Sequence, residues 1–404
     1  MAARNPTIDR LIGLLVAGCA PAIAADPCNG DLRLCDRPYN EVAYLTTHNA
    51  YSNQDYGFLI PSPNQLKNVT WQLESGVRAL MLDTYEHLGR AYLCHGTCGP
   101  WGKKKLRPVL SEIKTFLDSN PNEVVTIIFE SYLSEEKTEA SFVDTGLIDY
   151  IYAHPIGAPW PTLLEMITAG TPLVVFTDDS AALLPWHHYV WDHAWELPFE
   201  YHNVEEFTCE DGRGTPGADL FIFNHWITGP LGSDRGVANL VNRYPLLHNR
   251  AVECWGHSAW NPADHLPNFV TVDHFDLGQG SDVVWSLNDT WPLPPLWMTQ
   301  TSFSRGDSAS LQVSGLEPGA RVYFGAGFDG QGIGETIPGL QGTRSDLLGQ
   351  VNPIGEAAAN PGGVATLTMI VPVFAPPGSV STQAVVPLPG EPALKSIALD
   401  GNIH

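Results

Sequence analysis

The stretch Gly76–Tyr85, GVRALMLDTY, is the clearest guide to the fold because a continuous apolar run ends on a carboxylate. As a strand, Ala79 to Leu82 would be buried on both faces. Strands of this kind are typical of a parallel sheet covered by helices on both sides. Asp83 would then lie at the carboxyl edge of the sheet, where such folds place their chemistry.

The same pattern recurs on both sides of this stretch. Short apolar runs lie at 42–46, 91–94, 124–129, 172–176, 220–223 and 269–272. Residues 110–117 have apolar side chains at helical spacing and precede one of these runs. Alternating strands and helices from Val42 to Asp276 predict an α/β fold, of which a TIM-type (β/α)8 barrel is the closed form.

The composition changes after about Pro295, where Gly, Pro, Ser and Val dominate. Polar and apolar residues alternate at 310–313, 321–324 and 365–371, which predicts a small β-sandwich. We therefore expect a signal at 1–24, a barrel domain at 28–296 and an accessory β-sandwich domain at 297–404.

The net charge of the chain bears on which classes of partner it can bind. The 404 residues carry a formal net charge of -23, so general attraction to phosphate backbones is absent and nucleic acid is a poor partner. Contact with a lipid surface would need a local patch or apolar side chains. One basic run exists, Lys103–Lys105 with Arg107, and it is either a solvated helix start or a phosphate or headgroup contact.

The N-terminus reads as an export signal. Arg4 and Arg10 supply positive charge before a short apolar segment, Leu11 to Ala17, and Ala22-Ile23-Ala24 is a small-x-small cleavage site. The alternative is a lipoprotein signal in which Cys19 is lipidated. We therefore expect an exported protein, extracellular or held at the cell envelope.

The cysteine count agrees with export. Six of the seven cysteines remain if Cys19 is removed or lipidated, and an even number in an exported chain suggests disulfides. Their order favours Cys28 with Cys35, Cys94 with Cys98, and Cys209 with Cys254. Zinc is the alternative, but no CxxC pair occurs and the compartment is oxidising.

Polar residues repeatedly follow the predicted strands. These residues are His48, Asp83, His95, Glu130, Asp178, Asn224 with His225, and Asp273. Cleavage of a phosphodiester needs a base for the attacking oxygen and an acid for the leaving one, and two imidazoles serve well near neutral pH. The phosphate charge must also be neutralised, by a basic side chain or a metal ion.

Three segments in this order, TTHNA at 46–50, GVRALMLDTY and LCHG at 93–96, resemble the catalytic X region of phosphatidylinositol-specific phospholipases C. The stretch SNPNEVVT at 119–126 is also similar, and the resemblance is closest to plant and fungal X-domain proteins. It runs from about Cys35 to Asp276. It implies a TIM-type barrel, with His48 as general base and His95 as general acid. Attack by a substrate hydroxyl would give a cyclic phosphate.

The resemblance also implies supporting residues. Asp273 matches the carboxylate that orients the base histidine. Asn49, Asp83 and Glu130 match three ligands of the calcium-dependent members, whereas the fourth acidic position is Met81, which cannot bind calcium. Metal-independent members carry Arg at the position of Asp83, and this chain does not. We expect a divalent cation, with calcium as the leading choice.

Other assignments stay open. Asn49 could instead bond a loop, with Glu130 paired to Arg78. Arg78, Asp178 and His225 are lesser candidates for substrate or phosphate contacts, and Arg78 is more readily a structural ion-pair partner. The expected substrate is a phospholipid or a small phosphodiester, with peripheral membrane contact. The alternatives are a soluble glycerophosphodiester, a non-inositol lipid, or a non-catalytic exported binding protein.

Overall fold

The structure is a computed structural model that describes residues 26–404 except positions 61, 97, 100, 101, 182, 183, 258, 262, 293 and 294. The predicted signal and Cys19 lie outside the described residues. Within them, no helix is both long and apolar enough to cross a membrane.

The described chain forms twenty strands and seven α-helices. The strands are β1 Tyr44–Thr47, β2 Ala79–His87, β3 Arg90–Leu93, β4 Lys104–Lys105, β5 Val125–Tyr132, β6 Leu173–Thr177, β7 His187–Tyr189, β8 Ala194–Glu196, β9 Leu220–His225, β10 Thr228–Gly229, β11 Gly232–Ser233, β12 Phe269–Val272, β13 Met298–Gln300, β14 Ser308–Val313, β15 Arg321–Gly327, β16 Asn352–Ala358, β17 Ala365–Ile370, β18 Gly378–Leu388, β19 Glu391–Lys395 and β20 Leu399–Ile403. The α-helices are α1 Val69–Glu74, α2 Leu106–Ser119, α3 Glu135–Thr145, α4 Leu163–Ala169, α5 Arg235–Val241, α6 Tyr244–Trp255 and α7 Gly280–Thr290.

Eight parallel strands form the main sheet, in the order β7-β6-β5-β2-β1-β12-β9-β8. The row curls as a TIM-type barrel does, which confirms the predicted fold class. It remains open between β7 and β8, because these two end strands pair with β6 and β9 but not, among the described residues, with each other. The carboxyl ends of the strands therefore surround one mouth.

The apolar pattern explains both layers of this barrel. The interior of the barrel is filled by a cluster of apolar side chains that includes Ile128, Phe176 and Phe269. Outside it, α2 buries residues at helical spacing against the sheet, namely Leu106, Val109, Leu110, Ile113, Phe116 and Leu117. Strands buried on both faces and helices buried on one face are what the continuous and periodic runs predict.

Two details differ from the sequence prediction. The run at 91–94 is not a barrel strand, because β3 pairs antiparallel with β2 and forms a hairpin on it. β7 and β8 were not predicted. Each has only three residues, HHY and AWE, and is too short and polar to show strand periodicity.

Two antiparallel sheets follow the barrel, as the alternating segments predict. β13, β14 and β17 form one, and β15, β16, β18, β19 and β20 form the other. This unit is tied to the barrel by the buried Asp346 carboxylate. Its Oδ1 accepts hydrogen bonds from Tyr244 of α6 at 2.9 Å and from Ser286 of α7 at 3.1 Å, and it lies 3.0 Å from Lys395 Nζ.

The predicted cysteine pairing is confirmed. Disulfides join Cys28 to Cys35, Cys94 to Cys98 and Cys209 to Cys254. The second bond closes a short loop around His95.

Candidate active site

A cavity of about 1120 Å³ opens at the carboxyl ends of the parallel strands. It brings together all six residues predicted as catalytic or metal-binding, His48, Asn49, Asp83, His95, Glu130 and Asp273. A smaller recess continues into the barrel mouth and is also lined by Asp178. Residues separated by up to 225 positions in the chain therefore face one space.

His48 is placed by the pairing of the first and last barrel strands. Thr47 lies beside Val272 in the parallel ladder, so His48 and Asp273 leave the sheet as neighbours. Gln65 secures both strand ends by donating to the carbonyl oxygens of His48 at 2.9 Å and Val272 at 3.1 Å. The position of His48 is thus fixed by backbone pairing.

The His48 ring is oriented on two sides. Its Nδ1 lies 2.9 Å from Asp273 Oδ1, which also accepts a hydrogen bond from Asn64 Nδ2 at 3.0 Å. Its face stacks on Trp226, with ring centroids 4.0 Å apart. A carboxylate at Nδ1 favours the tautomer with the proton there and leaves Nε2 free to accept one.

His95 is placed by the hairpin. Thr84 pairs with Leu93, so the returning strand delivers His95 beside Asp83, whose Oδ2 lies 3.2 Å from His95 Nδ1. The same Oδ2 accepts a hydrogen bond from the buried Tyr51 hydroxyl at 2.8 Å. The hydrogen bond with Asp83 raises the pKa of His95 above its ordinary value, which favours the protonated ring.

Two further carboxylates lie in the recess. Glu130 is the ladder partner of Asp83, and burial together with the neighbouring charge of Asp83 raises the pKa of Glu130. Burial also raises the pKa of Asp178, although its Oδ1 accepts a hydrogen bond from the Ser131 backbone N–H at 2.8 Å. The recess therefore concentrates negative charge that a cation would relieve.

Arg213 supplies one positive charge that sequence reasoning did not identify. Among the described residues, it is the one Lys or Arg that lines the cavity or its recess. Its Nε contacts Glu196 Oε1, and its guanidinium lies 4.8 Å from the Trp191 ring centroid and 4.7 Å from that of Phe199. The residue follows no predicted strand, so it carried no sequence signal.

Gly214 explains how this loop residue reaches the barrel mouth. Its φ is +83°, and a Cβ there would lie 2.3 Å from the Ala194 carbonyl oxygen. The backbone of Arg213 accepts a hydrogen bond from the Glu196 N–H at 2.9 Å. Only glycine allows so close an approach of the loop to β8.

Arg78 and His225, two of the lesser candidates, lie elsewhere. Arg78 is at the opposite end of β2, where its Nε donates to Glu123 Oε2 at 2.7 Å, so the structural alternative holds and its suggested pairing with Glu130 does not occur. His225 is the last residue of β9, and its side chain is fully buried on the outer face of that strand, between the Val241 carbonyl at 2.9 Å and Arg250 at 3.0 Å. Asn224 and Trp226, one position to either side, face the cavity instead.

The histidines at 187, 188 and 193 do not converge on a metal. His187 bonds Glu135 at 2.6 Å, whereas His188 and His193 pack in a buried aromatic cluster with His154 and Trp160. Burial lowers the pKa of His188 to about 4.

A known protein family matches this part of the chain. The family model PI-PLC X (PI-PLC X 1) matches residues 34–288. The chain belongs to the PI-PLC X family. The match covers the barrel with its histidines and ends before the two antiparallel sheets.

Curated relatives of this PI-PLC X chain come from plants and fungi. A PI-PLC X domain-containing protein of Arabidopsis thaliana is 29% identical over 273 residues, 61% of this chain and 61% of the relative. PI-PLC X domain-containing protein 1 of Arthroderma benhamiae is 31% identical over 212 residues, 49% of this chain and 68% of the relative. An uncharacterized secreted protein of the same fungus is 28% identical over 287 residues, 65% and 63% of the two lengths. The chain thus spans about three fifths of the length of the Arabidopsis protein and of the secreted fungal protein.

Among solved structures, a double mutant of the phosphatidylinositol-specific phospholipase C from S. aureus is similar at 14% identity and a TM-score of 0.43. That similarity covers 65% of this chain and 96% of that one.

The PI-PLC X site offers oxygen donors for a divalent cation. Asn49, Asp83 and Glu130 contribute an amide and two carboxylates, which suit a hard ion, and Asn49 is turned into place by a left-handed φ of 46°. Met81 lines the recess two residues before Asp83 and adds no oxygen. Within the described residues, no group of three or more His, Cys, Asp or Glu is arranged to hold a metal ion.

The outer rim of the cavity is apolar. Leu59, Ile60 and Leu231 line it and expose 67%, 66% and 82% of their surface, and Phe199 is also partly exposed. The backbone N–H of Ser62 donates to the Leu231 carbonyl at 2.9 Å, which joins the two rim segments. A polar centre is therefore surrounded by apolar side chains.

Proposed function

We propose that this PI-PLC X protein is a phosphodiesterase that cleaves its substrate by general acid–base catalysis between His48 and His95. The observation that carries the proposal is that both imidazoles face one cavity and each has its Nδ1 bonded to a carboxylate. Two Nε2 atoms are thereby left for proton transfer. A non-catalytic binding protein has no need for two separately oriented imidazoles.

The proton steps follow from the surroundings of each ring. His48, oriented by Asp273, accepts the proton of a substrate hydroxyl as its oxygen forms a bond to phosphorus. His95, favoured in its protonated form by Asp83, gives a proton to the leaving oxygen as the phosphorus–oxygen bond breaks. The product is a cyclic phosphate when the attacking hydroxyl belongs to the substrate's own headgroup.

The developing negative charge on phosphate needs a positive charge, and we propose two sources. Arg213 reaches the recess from its loop, and its contact with Glu196 leaves guanidinium N–H groups for phosphate or headgroup oxygens. Asn49, Asp83 and Glu130 would hold a divalent cation such as calcium. Bound there, the ion would neutralise phosphate oxygens. It would also lower the pKa of Glu130 by favouring the charged carboxylate.

The expected substrate is amphiphilic. The apolar rim fits acyl chains or the surface of a lipid aggregate, whereas the carboxylates and Arg213 fit a polar headgroup. A phospholipid is therefore the first choice, with the rim in peripheral contact with the membrane. A small soluble phosphodiester remains the alternative, because the polar recess alone can accept it.

The protein is also proposed to be exported. Three disulfides agree with an oxidising compartment, as does the relative named as a secreted protein. Lipid attachment at Cys19 remains an alternative form of the same export.

The decisive experiment is a turnover assay on phosphatidylinositol, phosphatidylcholine, sphingomyelin and glycerophosphoinositol, with and without calcium. We expect His48→Ala and His95→Ala each to reduce kcat by roughly 10²- to 10⁴-fold. His87→Ala is the matched control, because His87 lies on the same hairpin and does not line the cavity. Equal activity in all three variants would contradict the mechanism, and absence of turnover on every substrate with retained binding would favour a binding protein.

A chelator separates the two sources of positive charge. Loss of activity in the chelator and recovery with calcium would support the cation held by Asn49, Asp83 and Glu130. Full activity in the chelator, together with a large loss in Arg213→Gln, would assign neutralisation to the arginine.

A further inference from the structure

A second cavity, of about 400 Å³, lies outside the catalytic site and is lined by basic side chains. Arg90, Lys105, Arg107 and Lys137 line it, together with Gly89 and Ser141. The chain has 21 Lys and Arg against 44 Asp and Glu and is acidic as a whole. The lining of this cavity, with four cations and no carboxylate, has the opposite charge.

The fold brings these four residues together from four elements, β3, β4, α2 and α3. Tyr92 of β3 pairs with Lys105 of β4, and Arg90 lies two residues before Tyr92, so Arg90 and Lys105 share a sheet face. Lys137 and Ser141 are four residues apart on α3 and project from one side of that helix.

Two of the four cations, Lys137 and Arg107, have an acidic partner, and the other two have none among the described residues. Lys137 Nζ lies 2.5 Å from Glu86 Oε1 and Arg107 lies 2.5 Å from Asp144 Oδ2. Arg90 and Lys105 form no ion pair with any described residue. Their like charges face one cavity, which is unfavourable unless an anion joins them.

The start of α2 also favours binding of an anion. Lys105 is its N-cap and makes no side-chain cap bond, and the first turn contains no acidic residue. Helix starts favour negative charge, so Lys105 and Arg107 stand where carboxylates would be stabilising. The helix dipole and the basic side chains therefore both attract an anion here.

We propose that this cavity is a second anion site, which binds a phosphate group through Arg90, Lys105, Arg107 and Lys137. β2 continues from Asp83 to His87, roughly 13 Å beyond the catalytic carboxylate at about 3.3 Å per residue. The site at the hairpin tip thus lies on the catalytic face of the barrel, beside the mouth. A phosphate on a lipid headgroup and a free phosphate present the same chemistry to it.

The test compares Arg90→Gln/Lys105→Gln with the wild type and with Lys114→Gln, a lysine of α2 that pairs with Asp118 outside the cavity. Both mutated residues are exposed and form no ion pair with a described residue, so the double variant should melt at the wild-type temperature in chloride. Inorganic phosphate is titrated at constant ionic strength. Vesicles of phosphatidylcholine with 30 mol% phosphatidylglycerol are then used in a sedimentation assay.

We expect the double variant to lose about tenfold or more in apparent affinity for at least one probe, because it removes two charged donors that would bind the anion. A loss for inorganic phosphate identifies a soluble anion, and a loss confined to vesicles identifies the lipid headgroup. Affinities equal to those of Lys114→Gln for both probes would overturn the site. Turnover of a soluble diester should be unchanged, so failure here is distinct from failure of the catalytic proposal.

Discussion

The two histidine–aspartate pairs of the cavity have the same atomic contact and opposite surroundings. The side chain of His48 is 21% exposed and that of His95 is 68% exposed, while their aspartates are both buried. His48 is held by the parallel ladder, by Gln65 and by a Trp226 stack. His95 is held by a hairpin, one hydrogen bond and a disulfide.

The difference suggests a division of roles. A base gains most from a fixed tautomer and a rigid approach to the attacking hydroxyl, which a buried carboxylate and a stacked ring provide. An acid gains most from a raised pKa and access to a leaving group that must depart into solvent, which Asp83 and an exposed loop provide. The comparison predicts that the two aspartates differ in what their removal changes.

Asp273→Asn is expected to have the largest effect. An amide cannot stabilise the imidazolium form of His48 and permits the wrong tautomer, so kcat should fall by roughly 10²- to 10⁴-fold at every pH. The measurement is kcat against pH on a soluble diester, with a melting curve to verify folding. A folded variant within threefold of wild-type activity would remove Asp273 from the mechanism.

Asp83→Asn is expected to lower activity less, by about 10- to 100-fold near neutral pH, and to change the pH profile. Asp83 raises the pKa of His95, and His95 must be protonated to act as an acid. Without the carboxylate, the pKa returns toward its ordinary value, so the alkaline limb of the kcat/KM profile should move to lower pH. The acid limb, which reports the base, should stay in place.

The opposite result has a clear meaning. If the profile keeps its shape and activity returns when calcium is raised, Asp83 acts mainly as a cation ligand. That outcome would mean that Asp273 acts on its histidine whereas Asp83 does not. It would support Asp83 as a metal ligand.

The sequence predicted the barrel and the strand-end positions of His48, Asp83, Glu130 and Asp273 because continuous strands and the polar residues that follow them are local features. Asn49 and the catalytic and metal-binding roles came from the resemblance to the X region. It did not predict that a hairpin positions His95, because the returning strand of a hairpin has the same apolar residue pattern as a barrel strand. Arg213 was missed because its position depends on Gly214 meeting β8, a contact between segments about twenty residues apart in the chain. Of the lesser candidates, Arg78 is the structural ion-pair partner that the sequence analysis preferred, whereas His225 was misplaced because a strand pattern alone does not tell which face meets the cavity.

The smallest effect is expected from Cys94→Ser/Cys98→Ser. The disulfide closes the loop around His95, so its loss should loosen the acid and lower kcat by less than about tenfold while the His48 side is unaffected. Cys28→Ser/Cys35→Ser is the matched control, because that bond also spans few residues but the loop it closes contributes no residue to the cavity. Double cycles with Asp83→Asn and with Asp273→Asn sharpen the test: coupling is expected with Asp83, which shares the loop, and near-additivity with Asp273. Equal coupling to both aspartates would mean that the two pairs are held as one unit, and the division into a rigid base and an accessible acid would fail.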